Sequence, residues 1–290
     1  MRVLGGTVAI ALVCVLAFAL PATAQESVVC TKLEKQLKND EQHNSEGGRD
    51  KVNLGKGNDV WQGGGQGDVI NGGPGNDKLI GGSGKDKVIG GPGDDLLCGA
   101  GEPDILFGNE GDDEMYGEER DDRLYPGPDD DFALGSANND LVVGWAEVGG
   151  VIVDDGIDTI DGGHGQDNVE GGGPDTILGG VEDDLLITKT PDVAPALMNG
   201  GSQNDTVIGS NLDDTILGDI GDDMLFGGLG NDFIDGQEGD DSLFGELGND
   251  ELFGRNGTDK LDGGDGVDMC DGGDQSDEAD GSCETVLDVP

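Results

Sequence analysis

Positive charge is what this 290-residue chain has least of: 15 Lys and Arg stand against 63 Asp and Glu, for a formal net charge of −48. A polyanion binder needs clustered cations, so nucleic acid is excluded as the expected partner. Aromatic residues make up 4% of the chain and apolar residues 33%, and its glycine load is too high for an ordinary mixed domain. High charge with few aromatics is the usual mark of disorder. Glycine accounts for 58 residues but does not recur at every third position, which excludes a collagen-like helix. There is no CxxC and only His43 and His164, so a zinc site is not expected. G-x-S-x-G, H-E-x-x-H, a P-loop and an EF-hand loop are all missing, and no enzyme is expected.

Long apolar runs are also missing, except near the start. Arg2, the run "VAIALVCVLAFAL" and the small residues "ATA" (Ala22 to Ala24) predict a secretory signal peptide over residues 1–24. Nothing later is long and apolar enough to span a bilayer, so a secreted, extracellular protein is expected. Cys30, Cys98, Cys270 and Cys283 then remain. An even number in an exported chain favours disulfides over free thiols, with three pairings open. Proximity favours Cys270 with Cys283, which leaves Cys30 with Cys98.

What is present is a repeat. Aspartate occupies positions 50, 59, 68, 77, 86, 95, 104, 113, 122, 131 and 140 without exception. The series resumes at 158 and 167, slips by one to 175 and 184, and runs again from 205 to 277 in steps of nine. Glycine often stands two places before the aspartate, Asn or Asp immediately before it, and an apolar residue two places after. The unit reads G-G-x-G-[N/D]-D-x-U-x, with U apolar.

Glycine permits the positive φ of tight turns, and Asn and Asp tolerate such turns. The x-U-x tripeptide is a very short strand with one inward side chain. Two units make an 18-residue coil whose U residues meet across it. Stacked coils give two parallel sheets with layers about 4.8 Å apart. Aspartates then line both edges, and such columns repel themselves unless a cation neutralises them. Calcium takes six to eight oxygens from carboxylates and carbonyls, which stacked Gly-rich turns supply together.

Units such as "GGPGNDKLI" (72–80), "GGSGKDKVI" (81–89) and "GGLGNDFID" (227–235) resemble the hemolysin-type calcium-binding repeat of the RTX family. The resemblance spans roughly residues 46–280. It implies an all-β fold, a parallel β-roll (β-solenoid), with several Ca2+ ions held between successive turns of one edge. The implied ligands, in the best-preserved turns, are Asp59, Asp77, Asp86, Asp95, Asp113, Asp167, Asp223, Asp232, Asp241, Asp250, Asp259 and Asp268. Asp104, Asp122, Asp131 and Asp140 lack the glycine two places earlier and are not expected to hold metal. Many members of the family are exported by an uncleaved C-terminal signal, so the cleaved leader predicted here separates this chain from their toxin and secretion biology.

Around the roll, residues 25–45 place Val29, Leu33 and Leu37 on one helical face. They predict a short N-terminal capping helix over the open first coil, the alternative being a disordered tail. The region near 144–157, including "WAEVGGVIV", predicts an irregular coil. Residues 187–200, with Pro191 and Pro195, predict an insertion loop in preference to a partner site. Residues 281–290 are expected to close the C-terminal end.

The expected function is calcium binding, with folding driven by the ion. A calcium-dependent adhesive or surface-coat protein is the first alternative. A polysaccharide-modifying enzyme or its accessory module is the second, and an extracellular glycan or surface partner is left open.

Overall fold

The computed structural model describes Cys30 and residues 47–287, apart from residues 145, 149–150, 154–155, 173, 190–193, 274–276 and 280–281. Every nonapeptide ends in a strand, and alternate strands fall into two parallel sheets. One, the 14-stranded sheet, runs from Lys51–Asn53 to Glu278–Ala279. The other, 13-stranded, runs from Val60–Gly65 to Cys283–Leu287. The result is a β-solenoid, as the repeat predicts. The register repeats every 18 residues: Val69 pairs with Lys87, and Lys78 with Leu96. The proposed capping helix lies outside the described residues. No helix among the described residues is long and apolar enough to cross a membrane.

The core is one row of inward side chains from each sheet. Ile70, Val88, Leu106 and Leu124 of one meet Leu79, Leu97, Met115 and Ala133 of the other, all fully buried. Each such Ile, Val, Leu or Met burial stabilises by about 1.5–3 kcal/mol. The row continues through Ile216, Ile234 and Leu252 to Cys270.

Two places interrupt the coils. Phe132 pairs with Thr159 and Leu141 with Asn168, each 27 residues apart. The nine extra residues do not form the irregular coil expected from their spacing. Ala146–Val148 and Val151–Val153 pair antiparallel as a hairpin outside both sheets. The second interruption is shorter than 187–200. Leu185–Thr188 and Leu197–Ser202 are regular strands, and the extra residues sit between them.

Two disulfides join Cys30 to Cys98 and Cys270 to Cys283. Cys30 does not cover the end of the first coil. It is buried on the outer face of the 13-stranded sheet, in a cluster with Ile80, Cys98, Tyr116 and Leu134. The residues 283–287 extend that sheet by a further strand.

Candidate metal centre

The sixth-position aspartates form two columns, one on each edge of the roll. Backbone N–H groups connect them: that of Asp68 donates to Asp86 Oδ1 at 2.6 Å, and that of Asp86 to Asp104 Oδ1 at 2.7 Å. The column beside the 14-stranded sheet continues without a gap from Asp50 to Asp277. It holds Asp86, Asp167, Asp223, Asp241 and Asp259 of the twelve predicted ligands. The other column holds Asp59, Asp77, Asp95, Asp113, Asp232, Asp250 and Asp268, with the same bonds between neighbours.

One oxygen of each carboxylate is therefore used to bind the previous coil. In most of them the other is buried and has no hydrogen-bond partner, as at Asp77, Asp95, Asp113, Asp223, Asp232 and Asp241. Asp77, Asp95, Asp223, Asp232 and Asp241 are each 1–3% exposed. Leaving even a neutral buried acceptor unsatisfied costs about 1–3 kcal/mol, and a charged one more. Such an array of acceptors is a donor set that a cation could satisfy.

The turns explain where those oxygens sit. A Cβ added to Gly63 would lie 2.5 Å from both Asp68 Oδ2 and the Gly81 carbonyl oxygen. At Gly162 it would lie 2.6 Å from Asp167 Oδ2 and 2.7 Å from the Gly179 carbonyl oxygen. The first glycine of the unit thus makes room for a carboxylate oxygen of its own turn and a carbonyl of the next coil. Among the described residues, no three His, Cys, Asp or Glu side chains converge on one point. Any ion held here must draw on carbonyls as much as on carboxylates, which is the donor set that calcium takes. The residues fit that ion.

Burial and repulsion make these carboxylates hard to ionise without a cation. Asp104, Asp113 and Asp122 are pushed up to about 8, and Asp140 to about 9. Burial is the largest cause in each, and neighbouring carboxylates add to it. The N–H bond from the preceding coil acts in the opposite direction. Carboxylates shifted this far mark a site built for charge that the protein itself does not supply.

The aspartates that lack the preceding glycine are held in the same way as those that have it. Asp104, Asp122, Asp131 and Asp140 have the same N–H bonds and the same orphaned Oδ2 as the rest. In place of glycine, Glu102, Arg120, Asp129 and Asn138 adopt positive φ themselves, at 116°, 84°, 85° and 79°. Asp68, Asp184 and Asp205 are built in the same way, behind Gln66, Glu182 and Gln203. Asp175 and Asp214 are different. Their Oδ2 atoms accept from the backbone N–H groups of Gly172 and Ser210, at 2.8 and 2.6 Å.

The profile of the RTX calcium-binding nonapeptide repeat matches residues 62–97, 99–133, 116–146, 151–173, 199–234, 217–252 and 244–279. The chain belongs to that family. Its matched segments cover most of both aspartate columns. No curated protein matches the chain.

Proposed function

We propose that this RTX-repeat protein is a secreted calcium-binding protein whose β-roll folds when the ions bind. The observation that carries the reading is the array of buried, unpartnered Oδ2 atoms running through both columns. Asp59, Asp77, Asp86, Asp95, Asp113, Asp167, Asp223, Asp232, Asp241, Asp250, Asp259 and Asp268 would hold calcium with turn carbonyls. Asp68, Asp104, Asp122, Asp131, Asp140, Asp184 and Asp205 join them on the same geometry. Bound calcium would supply the positive charge that the oxygens of the turns coordinate.

The energetics favour coupling to folding. One inward residue per nonapeptide is a thin core, and −48 of formal charge opposes compaction. At a free concentration ten times Kd, each site adds about 1.4 kcal/mol. Roughly ten sites give about 14 kcal/mol, comparable to the stability of a whole domain. Extracellular calcium modules bind at about 10⁻⁴–10⁻³ M, so the chain would stay open in a low-calcium interior and close after export. The two disulfides suit an oxidising compartment.

The test is circular dichroism during a calcium titration, started in EGTA. β-structure should be largely missing in EGTA and appear cooperatively as calcium is added. Equal β-signal in chelator would overturn the reading.

A further inference from the structure

Although cations are scarce, several are gathered on one surface. Downstream, Lys189 pairs with Glu170 at 3.7 Å and Arg255 with Asp235 at 2.7 Å. In the first five coils, Arg49, Lys51, Lys85, Lys87 and Arg123 line one open groove of about 680 Å³ over the 14-stranded sheet. All five are exposed. Among the described residues, Lys51, Lys85, Lys87 and Arg123 make no ion pair, and the Arg49 guanidinium donates to the Gly67 carbonyl oxygen at 3.1 Å.

The strand register orders them. Lys51 pairs with Val69, Val69 with Lys87, Lys87 with Ile105, and Ile105 with Arg123. Across five adjacent strands the outward side chain is therefore cation, aliphatic, cation, aliphatic, cation. With about 4.8 Å per layer, the positive charges recur about every 10 Å. Beside this row, Phe107 stacks on Tyr125 at 5.0 Å, and Lys87 Nζ lies 4.4 Å above the Phe107 ring. That contact fixes the middle cation without neutralising it.

We propose that this groove binds a linear acidic polysaccharide carrying one carboxylate for every two sugar rings. A sugar ring extends roughly as far as one layer of the roll. Alternate carboxylates would meet Lys51, Lys87 and Arg123, while the C–H faces of the intervening rings rest on Val69 and Ile105. Lys85 and Arg49 flank the row on the edge side. Asp50, Asp68, Asp86 and Asp104 of the edge column also line the groove, Asp50 half-buried and the other three buried, while Asp121 is its exposed carboxylate and disfavours a more densely charged polymer. Nucleic acid fits poorly for that reason. Its phosphates recur about every 3.4 Å along each strand of a duplex, which would set unmatched charges over Val69, Ile105 and Asp121. The rest of the surface repels any polyanion, so the groove also determines where such a polymer docks.

Binding is measured by calorimetry on the full chain, with calcium at the level that gives full β-signal. A missing β-signal would count against the calcium reading alone, before any glycan is added. The probes are an oligosaccharide of alternating neutral and uronic acid sugars, a neutral oligosaccharide of equal length, and single-stranded DNA. The uronate probe should bind and the neutral probe should not. The combined variant Lys51→Gln, Lys87→Gln, Arg123→Gln should weaken binding about tenfold or more, equivalent to about 1.4 kcal/mol. Lys87→Gln alone should weaken it about threefold, which guards against misfolding of the triple variant, and Lys260→Gln should have no effect. The proposal is overturned if the triple variant keeps its β-signal and wild-type affinity, as bridging by calcium would give. DNA binding more tightly than uronate, or a concentration-dependent dimer that the triple variant abolishes, would also overturn it.

Discussion

The backbone N–H of Ala196 donates to Asp214 Oδ1 at 2.7 Å, although Ala196 has no carboxylate with which to continue the column. From Asp59 to Asp175, and again from Asp214 to Asp268, each link joins two aspartates. The links fail where the insertion enters, and the aspartates on either side compensate locally. Asp175 turns its free oxygen to Gly172 and Asp214 to Ser210. One edge is thus a continuous column from Asp50 to Asp277, while the other is divided into an upstream and a downstream segment.

Restoring the carboxylate with Ala196→Asp should not restore a site. The preceding sequence, "PDVAPA", contains no glycine to cradle the oxygen, and Ala196 is only 4% exposed. The variant should lose about 1–3 kcal/mol through an unsatisfied buried group, read as a lower Tm with calcium present. Its calcium stoichiometry should equal that of the wild type. A gain of one ion would show that the aspartate suffices without the cradle.

The cradle itself can be tested by adding a single methyl group. Gly162→Ala would place a Cβ 2.6 Å from Asp167 Oδ2 and 2.7 Å from Asp167 Cβ and the Gly179 carbonyl oxygen. Two of these three atoms are fixed by the backbone or close to it, so the turn must open. Higher calcium demand at the folding midpoint is expected, together with a loss on the order of 1–3 kcal/mol. Gly101→Ala, where nothing lies within 4 Å of the added atom, should behave as wild type in the same titration.

Much of this was legible in the sequence, because spacing and side-chain type determine it. The step of nine specified two parallel sheets, and the residue two places after each aspartate gave the core, from Ile70 to Leu261. Glycine often stands two places before the aspartate, but Glu102 and Arg120 take up the same left-handed backbone without it. Stacking of the coils imposes that conformation, at roughly 1–2 kcal/mol for a residue with a Cβ. The first glycine of the unit matters for another reason, its closeness to a carboxylate five residues away, which no local rule reveals. The pairing of strands 146–148 and 151–153 is not legible in the sequence, because nine inserted residues leave the count of nines intact. The alternation of cation and aliphatic in the groove advances in steps of 18 residues and repeats every 36, and it becomes visible only when strands are laid side by side.

Protons should partly replace calcium in the metal-free chain. Asp95 is raised to about 7, and Asp104, Asp113 and Asp122 to about 8, each chiefly by burial. An unfolded aspartate titrates near 3.9. Between those values the metal-free roll binds more protons than the unfolded chain. Its stability therefore rises as pH falls from about 8 towards 4, and is lost as pH rises through the folded values. In EGTA, the β-signal should be greater at pH 5 than at pH 8. With calcium present the trend should reverse, since protons and calcium compete for the same oxygens, and the calcium midpoint should increase at the lower pH.

The C-terminal disulfide should matter most at its own end of the roll. Cys270 is the last fully buried residue of the inward row, and its partner Cys283 opens the final strand. Their separation is 13 residues, for which loop closure gives about 3 kcal/mol. Replacing both with serine also puts a hydroxyl into the apolar row at position 270, beneath Leu252. Amide exchange should accelerate first in strands 268–273 and 283–287, then in 251–256, while strands before residue 143 keep wild-type protection. Because each coil contacts only its neighbours, the damage should spread inwards from the end as calcium is lowered. Uniform acceleration along the whole chain would instead mean that the roll opens as a single cooperative unit.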